Sequence, residues 1–266
     1  MSLQFIMGNS GSGKSYCLYD TVVREAIENP DKNYLVIVPE QFTMQTQKDL
    51  CLAHPKGGIM NIDVLSFGRL AYRVFEEVGQ DARVVLDDEG KNLVLRKIAG
   101  ECEKDLKVFK GNLKKQGYIS EVKSVLSEFA QYGVDFERLD DFMKEVPPES
   151  YLHYKLDDIR TIYEKFEEYL SEKYITKEEM LDVLSDAVPY SDILKGSVVA
   201  MDGFTGFTPV QNRLIGELFS VCEKVMITVT MDGRENPYVY EHPYQIFALG
   251  KQMVTSLMKI AGEKKT

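Results

Sequence analysis

Apolar and polar positions alternate with two different periods along this chain, and the change of period marks its organisation. Leu3-Gln4-Phe5-Ile6-Met7, Tyr34-Leu35-Val36-Ile37-Val38, Val198-Val199-Ala200-Met201 and Val225-Met226-Ile227-Thr228-Val229-Thr230 are short, largely apolar runs. Their length and β-branched content predict strands buried in a parallel sheet. Asn61-Ile62-Asp63-Val64-Leu65 alternates as a further strand. Between these runs the spacing predicts helices over 14–28, 44–52, 211–219 and 244–260. Asn29-Pro30-Asp31, Pro39 and the break from Pro55 to Gly58 punctuate them, and Ser66 is placed to cap the helix that follows it.

From 81 to about 195 the pattern changes to helices only. Ile119, Val122, Val125, Leu126 and Phe129 share one helical face, and Leu152, Leu156, Ile159, Tyr163, Phe166 and Leu170 share another. Thr176-Lys177-Glu178-Glu179 reads as a capping box opening a third helix through Met180, Leu181 and Leu184. Gly117, Gly133 and Pro147-Pro148 read as breaks. The aromatic stripe in this stretch fits a helical core better than a ligand platform. The expected organisation is an α/β domain over 1–80 and 196–266, interrupted by an all-helical insertion over 81–195.

The first strand runs into Gly8-Asn9-Ser10-Gly11-Ser12-Gly13-Lys14-Ser15, a full match to the phosphate-binding loop pattern G-x-x-x-x-G-K-[ST] in its strand-loop-helix context. Apart from Asn9, the loop before Lys14 is glycine and serine throughout, so its backbone is free to curl into a nest of N–H groups. The helix behind it adds its positive dipole end, Lys14 reaches the β- and γ-phosphates, and the Ser15 hydroxyl is a magnesium ligand. A nucleoside triphosphate site, with ATP and Mg2+, is the expectation.

The net charge of −10 bears on partners. Residues 81–195 carry 18 basic and 26 acidic groups, so the excess sits in the middle of the chain. An acidic chain is a poor non-specific binder of DNA and needs a local groove or a more basic partner to hold it. No run approaches the roughly 18 apolar residues of a membrane span. The chain starts directly in strand and loop, which reads as lacking a signal peptide. Cys17, Cys51, Cys102 and Cys222 show neither zinc spacing nor a disulfide framework and read as reduced cytosolic thiols, placing the protein in the cytoplasm.

Other candidate residues have two readings each. Gln41 and Thr43 follow Pro39 at the carboxyl end of a strand, the edge where open α/β sheets bind ligands, and fit a plain polar turn equally well. Phe67, Leu70 and Val74 form an inward stripe that leaves Arg69 and Arg73 on another helical face, suited either to solvent or to a nucleic-acid strand. Asp202, at the end of an apolar strand, matches the carboxylate that holds magnesium in phosphate-binding-loop proteins, or a turn formed with Gly203. Tyr238, Tyr240 and Tyr244 lie in a proline-interrupted loop.

The distance from Lys14 to Asp202, with a helical insertion between, resembles the first RecA-like domain of superfamily 1 helicases. Their acidic motif runs Asp-Glu-aromatic-Gln-Asp and ends in a Gln nine residues after the first Asp. Asp202, Phe204 and Gln211 hold that register, whereas Gly203 replaces the Glu that activates water. Together with the loop near the initiator Met, Pro39-Glu40-Gln41-x-Thr43, Ser66-Phe67-x-Arg69-Leu70-Ala71-x-Arg73-Val74 and Asp202-Gly203-Phe204-x-x-Phe207-x-Pro209-x-Gln211 resemble the AddB family over the whole chain. These are the B subunits of bacterial ATP-dependent helicase/deoxyribonucleases.

The resemblance implies a RecA-like parallel sheet and an inactivated helicase acting in recombinational double-strand break repair. It binds ATP and Mg2+ with little or no hydrolysis, and no residue here is assigned a catalytic role. It implies a heterodimer with the helicase-nuclease A subunit, and guidance of single-stranded DNA with recognition of the Chi sequence. Gln41, Thr43, Phe67, Arg69, Tyr72 and either Phe204 or Phe207 fall at the Chi-reading positions. The family's nuclease domain and iron-sulfur cluster belong to a C-terminal part outside these residues, and none of the four cysteines is assigned to the cluster. An active motor or small-molecule phosphotransferase, and a structural module with a vestigial loop, are the competing readings.

Overall fold

The computed structural model describes residues 2–79, 84–112, 115–171 and 173–264. The strands in chain order are β1 (Ser2–Gly8), β2 (Tyr34–Ile37), β3 (Ile62–Leu65), β4 (Val84–Leu86), β5 (Tyr174–Thr176), β6 (Val198–Met201) and β7 (Lys224–Thr230). The helices are α1 (Lys14–Glu28), α2 (Thr43–Ala53), α3 (Phe67–Val78), α4 (Asp88–Glu101), α5 (Gln116–Tyr132), α6 (Phe136–Glu145), α7 (Tyr151–Leu170), α8 (Glu179–Ala187), α9 (Pro209–Val221) and α10 (Ala248–Glu263). Two compact units emerge, Met1–Gln80 with Leu181–Thr266, and Asp81–Met180, with α8 running across the return point.

The first unit is an α/β fold around a five-stranded sheet in the order β1-β7-β6-β2-β3, every pairing parallel. All residues of β2 and β6 are buried, as central strands covered on both faces require. Alternate side chains separate the two faces. Tyr34, Val36, Val198, Ala200 and Met226 pack with Leu18, Val22 and Ala26 of α1 and Leu50 of α2. On the other face, Gly250 of α10 sits so close to β7 that a Cβ there would lie 2.8 Å from the Thr230 carbonyl and 3.3 Å from Val229.

Several sequence expectations change here. β1 occupies the sheet edge and is only partly covered, so it is not the buried strand that its apolar content predicts. The last helix begins at Ala248, leaving Tyr244 in the preceding loop. The residues after Pro39 form a single 3-10 turn, Glu40–Phe42, before α2. All four cysteines are free thiols, and no helix among the described residues is long and apolar enough to cross a membrane.

In the second unit, Leu95 and Ile98 of α4, Ile119, Val122 and Leu126 of α5, and Ile159, Ile162 and Phe166 of α7 form one core. Gly117 lies inside the first turn of α5 and breaks nothing, while Gly133 ends that helix with φ of 64°. Helices are not the whole of this unit, which corrects the expectation of helices only: β4 and β5, far apart in sequence, pair as a short parallel ribbon. Three-residue strands carry too little periodicity to register in the sequence. The Thr176 box is present, with Thr176 N–H donating to Glu179 (2.8 Å) and Glu179 N–H donating to Thr176 Oγ1 (3.2 Å).

Burial, together with the Glu179 carboxylate, raises Glu167 to about 7. The folded chain therefore holds a proton there that the unfolded chain releases near the ordinary carboxylate pKa. That contribution to stability is complete below the unfolded value and is lost as pH rises through about 7. Thermal unfolding of the chain should accordingly shift to lower temperature between about pH 5 and about pH 8. Glu167→Gln, a permanent donor to Glu179, should flatten that part of the profile.

Candidate nucleotide site and adjoining surface

The loop after β1 is shaped by three glycines with different duties. The Gly8 carbonyl accepts Met231 N–H at 3.0 Å, which ties the start of the loop to the end of β7. A Cβ on Gly8 would lie 2.4 Å from Ser12 Oγ, so any larger residue here would have to push the Ser12 hydroxyl aside. Gly11 and Gly13 have φ of 74° and 86°, left-handed values that disfavour side chains. Ser12 N–H and Lys14 Nζ both donate to the Asn9 carbonyl, at 3.1 and 2.8 Å. The exposed run Asn9 to Gly13 leads directly into α1, and no acidic residue occupies its first turn to repel an anion. Asn9, Ser10, Gly11, Ser12, Gly13, Lys14 and Ser15 thus form one continuous segment at the carboxyl edge of the sheet, exposed except for the partly covered Lys14.

Asp202 emerges at the same edge. Its N–H donates to the Ile37 carbonyl at 3.0 Å, carrying the pairing with β2 one residue beyond β6. β7 separates β6 from β1, so the carboxylate and the loop leave the sheet one strand apart. The side chain is 7% exposed. Tyr19 Oη donates to Asp202 Oδ2 at 2.7 Å, and Thr228 Oγ1 donates to Oδ1 at 2.6 Å. Tyr19 Oη also lies 3.2 Å from Thr46 Oγ1. Burial, with the Asp202 charge adding to it, holds the Tyr19 phenol well above its ordinary pKa. Ser15 and Tyr19 are four residues apart on α1 and therefore share a face, which brings the Ser15 hydroxyl to the Asp202 side of the helix.

This donor set suits magnesium. One carboxylate and one hydroxyl are hard oxygen ligands, each Asp202 oxygen retains acceptor capacity beyond its hydrogen bond, and phosphates supply the rest of such a shell. No cluster of three or more His, Cys, Asp or Glu side chains that could hold a metal exists among the described residues.

Past Asp202 the backbone turns sharply at Gly203, φ 80°. Phe204 then meets Phe67 and Phe207, with ring centroids 5.4 and 5.1 Å away. Thr208 and Gln211 cap α9 reciprocally: Thr208 N–H donates to Gln211 Oε1 at 3.0 Å, and Gln211 N–H to Thr208 Oγ1 at 3.3 Å. Gln41 is exposed, Arg69 is exposed in the first turn of α3, and Tyr72 on the same helix is 56% exposed. Thr43 and Phe67 instead face inward, at 5% and 8% exposure, with the Thr43 hydroxyl donating to the Glu40 carbonyl. Phe204 and Phe207 are both half-buried.

A family model described as "ADDB, N-terminal" matches residues 5–266. The chain belongs to the AddB family. It is 46% identical over 266 residues to the B subunit of the ATP-dependent helicase/deoxyribonuclease of Lachnoclostridium phytofermentans, covering all of this chain and 23% of that protein. It is 38% identical over 265 residues to the protein of the same name from Thermoanaerobacter pseudethanolicus, 99% of this chain and 22% of the relative. For that of Alkaliphilus oremlandii the identity is 32% over 261 residues, 98% of this chain and 22% of the relative. The chain spans less than a quarter of the length of these relatives, and the match corresponds to the family's N-terminal part.

Tyr19, Thr46 and Thr228 escaped the sequence reading of this AddB-family chain. The available signal was the fourth position after Ser15, which puts Tyr19 on the Ser15 face, and a hydroxyl within the apolar run of β7. Neither marks a site until the strand order brings them to Asp202. Gly203 disfavours a side chain through its backbone: at φ 80° an L-residue costs about 1–2 kcal/mol, while its Cβ would only come into ordinary contact with Pro39 at 3.5 Å. Gly203→Ala should therefore lower stability in urea by about that amount, whereas Gly206→Ala, with open space around it, should change it far less.

Proposed function

We propose that this chain is the nucleotide-binding, helicase-like part of a bacterial helicase-nuclease B subunit, that it holds ATP with Mg2+ without turning it over, and that its neighbouring surface receives single-stranded DNA. The observation that carries this reading is the pairing of an intact phosphate loop with a left-handed Gly203, φ 80°, where the family resemblance places the water-activating Glu. Amides from Gly11 to Ser15 and the Lys14 ammonium bind the triphosphate, and Ser15 with Asp202 would hold the metal, which supplies charge neutralisation between the phosphates. The water-orienting carboxylate is missing, a deficit of several orders of magnitude in phosphoryl transfer. A side chain added at Gly203 would meet Pro39 and Phe42 and would sit on a left-handed backbone. An active motor or phosphotransferase therefore fits less well.

Support for the DNA face comes from exposed Arg69 and Tyr72 on α3, exposed Gln41 after β2, and the aromatic cluster of Phe67, Phe204 and Phe207. Guanidinium and aromatic faces bind bases by hydrogen bonding and stacking. In this proposal Thr43 and Phe67 position that surface from below. The role is Chi recognition and strand guidance in cytoplasmic recombinational break repair, in a heterodimer with the A subunit, and the nuclease with its iron-sulfur cluster lies outside these residues.

Lys14→Ala should abolish binding of a fluorescent ATP analogue while leaving the ligand-free thermal midpoint unchanged. Wild type and Gly203→Glu should both show no steady-state phosphate release, and stoichiometric turnover by wild type would refute the non-hydrolysing assignment. In the assembled helicase-nuclease, Arg69→Ala and Tyr72→Ala should each weaken Chi-strand binding by about 1–3 kcal/mol. Unchanged affinity in both would remove the DNA assignment.

A further inference from the structure

The Tyr19 hydroxyl owns a single proton, which goes to Asp202, while Thr46 on its other side donates to the phenol oxygen and can accept from it once that proton is released. Asp202 Oδ2 is 2.7 Å away on one side and Thr46 Oγ1 is 3.2 Å away on the other. Asp202 and Thr46 are both buried, so no bulk water stands ready to replace either partner. With Thr228 on the other carboxylate oxygen, Asp202 is engaged by two hydroxyl donors. A cation on Oδ2 can use the oxygen's second lone pair, but it withdraws the negative charge that holds the Tyr19 donor there and so weakens that hydrogen bond.

We infer that Tyr19 is a magnesium-sensing latch: its hydroxyl holds Asp202 Oδ2 until Mg2+ arrives with nucleotide, then swings its proton to Thr46. This rests on the nucleotide-binding reading above and adds a positioning residue that acts through Asp202. Only an O–H rotation is required, since both acceptors are already in reach. Thr46 accepts in the second state, and its own proton is then free for the carbonyl of Phe42 one turn earlier, the hydrogen bond that threonine makes within helices. Such back-bonding bends a helix start. The affected turn of α2 is the one entered from Gln41 and Phe42. The metal site and that turn are thereby coupled in both directions, as linkage demands.

The test is a Mg2+ titration of fluorescent ATP-analogue binding to the full chain, with a parallel measurement in EDTA. Tyr19→Phe removes that donor and keeps the ring. It should lower the Mg2+ concentration for half-maximal binding about 3- to 10-fold, the range of one net hydrogen bond, and leave the affinity in EDTA unchanged. Thr46→Val removes the second acceptor and strands a buried donor in the metal-bound state. It should raise the Mg2+ requirement by a similar factor. A packing role would not produce opposite signs. An unchanged Mg2+ midpoint in Tyr19→Phe, shifts of the same sign in both variants, or loss of the EDTA affinity in Tyr19→Phe would each overturn the latch alone. Absence of binding in wild type at every Mg2+ concentration would overturn the nucleotide reading, and the latch with it.

Discussion

A buried negative charge at the end of β6 is the constraint on which this end of the molecule depends. Withdrawing a carboxylate from water is costly unless donors replace the lost hydration. For Asp202 those donors are two hydroxyls on different elements, Tyr19 of α1 and Thr228 of β7. The same group therefore ties α1 and β7 to the end of β6. Because Tyr19 also reaches Thr46, α2 is drawn into the arrangement.

Immediately beyond that charge the chain changes direction. A left-handed residue lets Phe204 turn onto Phe67, and aromatic pairs in tilted geometry hold better than area alone accounts for. Gln211, which keeps register with the helicase motif, serves here to cap α9. The same short segment thus leaves the carboxylate facing one neighbourhood and builds an aromatic shelf facing another.

Much of this was legible beforehand, and the reasons are physical. α1 begins and ends where the loop and Asn29 place it, and β6 spans the four residues of its apolar run, because glycine, proline and apolar continuity are strong local signals. Ser66 and the Thr176 box cap their helices for the same reason. What stayed hidden depends on partners distant in sequence. The edge position of β1, the β4–β5 ribbon, and the meeting of Tyr19, Thr46, Thr228 and Asp202 are set by strand order, which no local window contains. Thr43 and Phe67 belong to the same group: their motif gives residue type, while burial depends on which element lies above.

The strand order also sets a timetable. β1 and β2 are close in sequence yet are kept apart in the sheet by β7 and β6, both encoded after the long middle unit. During synthesis, β2 and β3 have each other, but β1 has no neighbour until β7 is made. Contacts of such long range are slow to form. The phosphate loop is therefore translated well before the strand that supports it, and a polypeptide interrupted ahead of β7 carries the motif without its neighbour in the sheet.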